Sequence, residues 1–220
     1  FRPQVSEQLK AKGHPERFSH GLRITDAVAL DSAQEAAGQL RFEIEAAFSQ
    51  GLPNTPMANA TLRVISGNFL TARPFGIVDG VDFMHSGVVR KVDAVAIRGA
   101  IDTGAVVLLS PFGFSPTGEA FNLTMEDVAT AAAISLQADK LMFVTEVPGV
   151  RENKDDASSA IDTELALADA ERLLAALPDP TQPSDVAFYL RHCVKACRGG
   201  VERSHILPFG IDGALLQEIY

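Results

Sequence analysis

The chain has 220 residues, enough for one substantial domain without requiring two. Nineteen Lys and Arg against 28 Asp and Glu give a net charge of −9, which argues against a nucleic-acid partner because phosphate binding needs a basic surface. Apolar residues make up 46% of the chain, yet no uninterrupted apolar run reaches the roughly 18 residues that span a bilayer, and no signal-peptide pattern opens it, so no membrane partner is expected.

The first residues are Phe1-Arg2-Pro3-Gln4 rather than Met, and the last, Ile219-Tyr220, fall inside an apolar pattern. Both are expected to be cut ends of a longer protein. Gln4 to Lys12 has helical spacing and stops at Gly13-His14-Pro15. Asp31 to Phe48, rich in Ala, Glu and Gln, predicts a second helix closed by the turn Gly51-Leu52-Pro53-Asn54. Thr61 to Leu70 and Gly76 to Phe83 read as strands separated by Arg73-Pro74, and Val88 to Val92 as another. The continuous apolar run Ala105 to Ser110 predicts a strand covered on both faces.

The stretch Ser110 to Leu123 reads as a loop containing the turn Ser115-Pro116-Thr117-Gly118. Thr124, with Asp127 three residues on, opens a helix through Ala138 in the manner of a weak capping box. Leu141 to Thr145 is the next buried strand, and the charged and small residues 151 to 160 form a surface excursion. Helices follow over Thr163 to Leu177 and Ser184 to Arg198, joined by a loop with three prolines. Cys193 and Cys197 lie on the second of these. They are too few for zinc and wrongly arranged for a disulfide framework, so reduced thiols and a cytoplasmic location are expected. His205 to Leu207 is a strand, and a helix capped by Asp212 runs to the end. Strands alternating with amphipathic helices predict an α/β fold, a three-layer α/β/α sandwich with a mainly parallel central sheet.

Ligands of open parallel sheets sit beyond the C-terminal strand ends, which draws attention to the loop carrying Asn122 just before a helix N-terminus. Arg23, in Gly21-Leu22-Arg23-Ile24-Thr25-Asp26, could grip a carboxylate with two hydrogen bonds. Ser66-Gly67-Asn68 follows a strand, and its Gly would let backbone approach a ligand. His205 and Glu218 stand on a strand and on the following helix, where a carboxylate beside a cleft would suit a guanidinium. Lys195 lies on the preceding helix. Each has an ordinary alternative: Arg23 and Glu218 as solvated surface charges, Asn122 as a turn residue, His205 as a satisfied strand-edge histidine. The chain contains no Gly-x-x-x-x-Gly-Lys-Ser/Thr, Gly-x-Gly-x-x-Gly, His-Glu-x-x-His or Gly-x-Ser-x-Gly motif, and nothing in it marks a metal site.

Arg2-Pro3-Gln4, Gly21 to Asp26, Ser66-Gly67-Asn68, Phe121-Asn122-Leu123, Ala138-Asp139-Lys140-Leu141, Thr145 to Val150 and His205…Glu218 occur in an order that resembles the amino acid kinase family along nearly the whole chain. Further blocks, Leu52 to Pro56, Asp79 to Asp82, His85-Ser86-Gly87 and Val194 to Val201, are similar to the kinase-like domain of the bacterial N-acetylglutamate synthase family. The resemblance implies a domain of residues 1–220, with a following acetyltransferase domain absent. It implies an arginine-sensing and assembly role, with His205, Glu218 and Lys195 at the arginine site. Arg23, Asn68 and Asn122 would be relics of an acylglutamate pocket.

The implied partners are L-arginine as effector, L-glutamate and acetyl-CoA as substrates of the missing domain, and further copies of the chain. No cofactor is implied in this domain. The departures from active kinases agree with that reading. The Gly-Gly-Gly-Pro-Gln loop of N-acetylglutamate kinase corresponds to Phe1-Arg2-Pro3-Gln4, its catalytic Asp falls near Glu126 and its catalytic Lys near Tyr189. The resemblance therefore implies no phosphoryl transfer, which depends on positive charge set against the transferring group. An active acid kinase and a module without a working ligand site are the alternatives.

Overall fold

The computed structural model describes residues 1–50, 62–146, 149–150, 164–177 and 186–219. The turn Gly51 to Asn54, the block Leu52 to Pro56, the excursion 151–160 and the three-proline loop lie outside the described residues, as do Thr163 and Ser184. The chain divides into two compact units, Phe1–Ser19 with Arg23–Val128, and His20–Leu22 with Ala129–Tyr220.

In the first unit, α1 (Arg2–Ala11) starts two residues earlier than expected because Pro3 is tolerated in a first turn. Val5 and Leu9, four apart and so on one face, pack on Ala29, Ala33 and Ala36 of α2 (Ala27–Ser49). Two short strands, β1 (Phe18–Ser19) and β2 (Leu22–Arg23), precede α2, with His20 and Gly21 at positive φ between them.

Asp26 caps α2, its carboxylate accepting from Ala29 N at 3.0 Å. His14 Nε2 and Arg17 approach its other oxygen at 2.9 and 3.2 Å. Burial alone would raise this carboxyl, but the Ala29 N–H, His14 and Arg17 outweigh it and hold it below the ordinary range. A depressed acid contributes stability above its unfolded value, and that contribution disappears as pH falls through the folded value. Asp26→Asn should therefore lose less stability than the parent between about pH 4 and pH 2, near and below the ordinary Asp value, in urea melts taken across that range.

After α2 come β3 (Val64–Ile65), β4 (Leu70–Pro74), β5 (Ile77–Val78), β6 (Val81–Asp82) and β7 (Gly87–Val92). Over the described residues 62–70 the strand expected from Thr61 to Leu70 is a two-residue β3 and the first residue of β4. Arg73-Pro74 lies at the end of β4 rather than between strands. The expected strand over 76–83 is instead the hairpin β5–β6, turned at Asp79 and Gly80, both at positive φ.

Next come α3 (Ala94–Ile101), β8 (Val106–Val107), β9 (Phe112–Phe114) and β10 (Ala120–Asn122). β8 pairs in parallel with β3, but Val106 is exposed, so this short pairing is not the doubly covered strand expected from its composition. β9 and β10 are an antiparallel hairpin where a loop was expected, and Asn122 stands in a strand. The sheet order is β10-β9-β4-β7, with β4 antiparallel to β7 and parallel to β9. Ser86, just before β7, bridges to Asn122, so the two outer strands are joined at one end.

That junction requires Gly87: a Cβ there would lie 2.7 Å from Phe121 Cβ and 2.8 Å from the Arg73 carbonyl oxygen. Neither neighbour is the free end of a side chain. Gly87→Ala should cost about 1–3 kcal/mol, read as a lower urea midpoint at unchanged slope.

The unit boundary falls within α4 (Met125–Leu136). Thr124 Oγ1 accepts from Asp127 N at 3.2 Å, the first half of the expected capping box, while the Asp127 carboxylate accepts from Val89 N at 3.0 Å. The second unit continues with β11 (Lys140–Thr145), α5 (Leu167–Ala176), α6 (Val186–Arg198), β12 (Arg203–Pro208) and α7 (Ala214–Ile219). β11 and β12 run parallel, Lys140 opposite Arg203 and Met142 opposite His205. Leu141, Phe143, Cys193, Ala196 and Val201 bury together on one face of this pair, with Ala133 of α4. Gly199 permits that packing, since a Cβ would lie 2.6 Å from Ile134. α7 begins at Ala214, its first main-chain bond running from Gln217 N to Gly213 O. Both cysteines are free thiols, and burial followed by the neighbouring Cys197 pushes Cys193 up to about 12, so it stays protonated.

Helices with parallel and antiparallel strand pairs make this an α/β fold. Among the described residues no helix is long and apolar enough to cross a membrane, and no His, Cys, Asp and Glu group could hold a metal ion.

Candidate functional site

In the second unit, His205 lies on β12, positioned by its pairing opposite Met142. Its Nδ1 is 2.9 Å from Glu218 Oε2, with the imidazole mostly covered and the carboxylate partly open to solvent. Nδ1 can donate to that carboxylate, and in the neutral ring with its proton on Nδ1 the other nitrogen, Nε2, is an acceptor. Nε2 is buried and has no hydrogen-bond partner among the described residues. The Lys140 ammonium donates to the main-chain oxygen of the same Glu218. Three elements, β11, β12 and α7, thus converge on one residue. Lys195 is exposed in the last turn of α6, and no described contact brings it to this pair.

The first unit gathers a second polar cluster at the junction of its outer strands. Asn122 Nδ2 donates to Thr25 Oγ1 at 3.1 Å, and Asn122 N donates to the His85 carbonyl at 2.9 Å. The Ser86 hydroxyl donates to the Arg23 carbonyl at 2.6 Å and lies 2.9 Å from Thr25 Oγ1. Asn122 Oδ1 and His85 Nδ1 are both buried without a hydrogen-bond partner among the described residues. The unsatisfied Asn122 oxygen can accept a hydrogen bond from an entering group.

Arg23 sits beside this cluster, but its side chain is spoken for. It donates to Glu16 Oε2 at 2.6 Å and to Ser6 Oγ at 3.2 Å, and its guanidinium lies 4.8 Å from the centre of the Phe18 ring. An incoming carboxylate would compete with Glu16 for this guanidinium. Asn68 is exposed in the segment after β3, and nothing described brings it to Asn122. Beside it, Ser66 Oγ is buried and lacks a partner among the described residues.

Glu126, in the first turn of α4, is 5% exposed. Both its oxygens accept from one Arg2 nitrogen, at 2.8 and 2.7 Å. Arg2 is at the start of α1. Tyr189 packs its ring on Phe143, centroids 5.7 Å apart.

Sequence reading missed Thr25, Ser86, Glu16 and Lys140 as participants. Their roles rest on contacts between separate segments, and only the presence of Thr25, Ser86 and Lys140 in the blocks Gly21 to Asp26, His85 to Gly87 and Ala138 to Leu141 pointed to three of them.

A profile of the amino acid kinase family matches residues 2–208, and the chain belongs to that family. It is 53% identical over 219 residues to the amino-acid acetyltransferase of Ralstonia nicotianae, covering all of this chain and 47% of that protein. The chain spans about half the length of the curated relatives it matches. Among solved structures, N-acetylglutamate synthase from Neisseria gonorrhoeae complexed with coenzyme A and L-arginine superposes with a TM-score of 0.86 at 35% identity, over 98% of this chain and 49% of that one. The same synthase complexed with coenzyme A and N-acetyl-glutamate gives 0.83 at 35% identity, over 98% and 47%.

Proposed function

We propose that this chain is the arginine-sensing and assembly domain of an amino-acid N-acetyltransferase that moves the acetyl group of acetyl-CoA to L-glutamate, and that it does not phosphorylate. The observation that carries the proposal is its likeness, over 98% of its length, to a synthase solved with L-arginine. In this reading residues 1–220 are the kinase-like part of a longer cytoplasmic enzyme that assembles as a homo-oligomer. The acetyltransferase part lies outside the chain and takes acetyl-CoA as substrate, and the kinase-like part needs no cofactor.

The arginine site consists of His205, Glu218 and Lys195. Glu218 offers carboxylate oxygens and His205 Nε2 a lone pair, two kinds of acceptor for the planar N–H fork of a guanidinium. Lys195 supplies positive charge for the ligand's α-carboxylate. Arg23, Asn68 and Asn122 are the remnant of an acylglutamate pocket. The Glu16 carboxylate on Arg23 supports a relic rather than a working site.

Loss of kinase activity follows from charge. By the resemblance the acidic kinase position falls near Glu126, whose carboxylate Arg2 neutralises, and the cationic position falls near Tyr189, which leaves little to stabilise a transferring phosphoryl group. The test is ADP release by the full-length gene product given ATP and N-acetylglutamate, together with calorimetric titration of L-arginine. The reading expects a flat ADP assay and saturable arginine binding; acid-dependent ADP release would restore the kinase.

A further inference from the structure

Helix α7 has six residues and buries none of its side chains; Leu215, Leu216 and Ile219 are all exposed. Among the described residues, apolar packing does not hold it. Its described side-chain tethers converge on Glu218: the Lys140 ammonium on the main-chain oxygen, and His205 beside the carboxylate. The β11–β12 register explains how both reach it. Lys140 is opposite Arg203 and His205 follows two residues later, so Lys140 and His205 are diagonal neighbours on one face of the pair.

We propose that Lys140 is a positioning residue: it holds the main chain of α7 at Glu218 and so keeps the Glu218 carboxylate against His205. Lys140 touches the main chain of Glu218 and leaves the carboxylate free to meet a ligand. The consequence for effector binding rests on the sensor reading above, whereas the anchoring of α7 does not. Lys140 thereby sets how much of the time the His205–Glu218 pair is assembled, and a guanidinium binding that pair gains affinity in proportion.

The experiment uses the full-length gene product as wild type, Lys140→Ala and Lys140→Arg. It reads hydrogen exchange over residues 211–219, the His205 imidazole nitrogen signals, and L-arginine affinity by calorimetry. Lys140→Ala should speed α7 exchange about tenfold, shift the His205 signals and weaken L-arginine about tenfold, equal to 1.4 kcal/mol. Lys140→Arg, which keeps a cation that can reach the carbonyl, should restore most of each.

Exchange and His205 signals unchanged in Lys140→Ala would overturn the proposal. So would exchange that rises equally over Gly87–Val92, because the effect would then be global. If wild type fails to bind L-arginine while α7 exchange still depends on Lys140, the sensor reading fails and the anchoring role stands.

Discussion

Arg2→Ala should destabilise the protein by about 3 kcal/mol, the low end of the ~3–5 kcal/mol seen when one member of a buried ion pair is removed. The cost comes from what remains. The Glu126 side chain is 7% exposed and the Arg2 side chain 34%, so the carboxylate loses a charged donor that water cannot fully replace. Arg2's partial exposure keeps the expected figure low in the range. Adding Glu126→Gln should recover more than half of the loss, since a neutral amide is far cheaper to bury, and the double variant measures that coupling directly. Urea melts read both. A cost below about 1 kcal/mol for Arg2→Ala would mean that Glu126 is well solvated, and the charge argument against phosphoryl transfer would weaken with it.

Glu218→Ala should weaken L-arginine tenfold or more in the full-length gene product, from losing a charged hydrogen-bond partner worth about 1.5–3 kcal/mol. Glu218→Gln keeps the size of the side chain and separates charge from shape. It should retain part of the affinity if one neutral acceptor still meets the guanidinium, and little of it if the ion pair dominates. Lys140 holds Glu218 through the main chain, so neither substitution removes the α7 anchor. Unchanged affinity in Glu218→Ala would remove Glu218 from the site.

Much of the fold is legible in the sequence, for identifiable reasons. α1, α2, α4 and α6 carry apolar residues at helical spacing with recognisable stops or caps, and β11 and β12 are apolar runs bounded by turn signals. α3 escapes notice because Val95, Ile97, Gly99 and Ile101 are poor helix formers. What starts it is a cap by Asp93, which accepts from Ala96 N at 3.1 Å. The β9–β10 hairpin has three-residue strands, too short for a period of two to register, so its turn stands out and its strands do not.

The candidate sites divide along the same line. His205 and Glu218 come forward through the order of motifs, and the structure adds their 2.9 Å contact. Lys140 lies 78 residues from Glu218, and Thr25 lies 61 from Ser86. Contacts of that kind leave no spacing in a sequence. Arg23 could not be read correctly without Glu16, because a guanidinium's partner decides whether it is a ligand grip or a structural cation.

The measurement that bears most directly on the account is glutamate-dependent release of free CoA from acetyl-CoA by the full-length gene product, with and without L-arginine. The account predicts acetyl transfer whose rate changes with arginine in wild type and far less in Glu218→Ala. Acetyl transfer that ignores arginine at every concentration would contradict the sensor assignment, and no acetyl transfer at all would contradict the synthase reading itself.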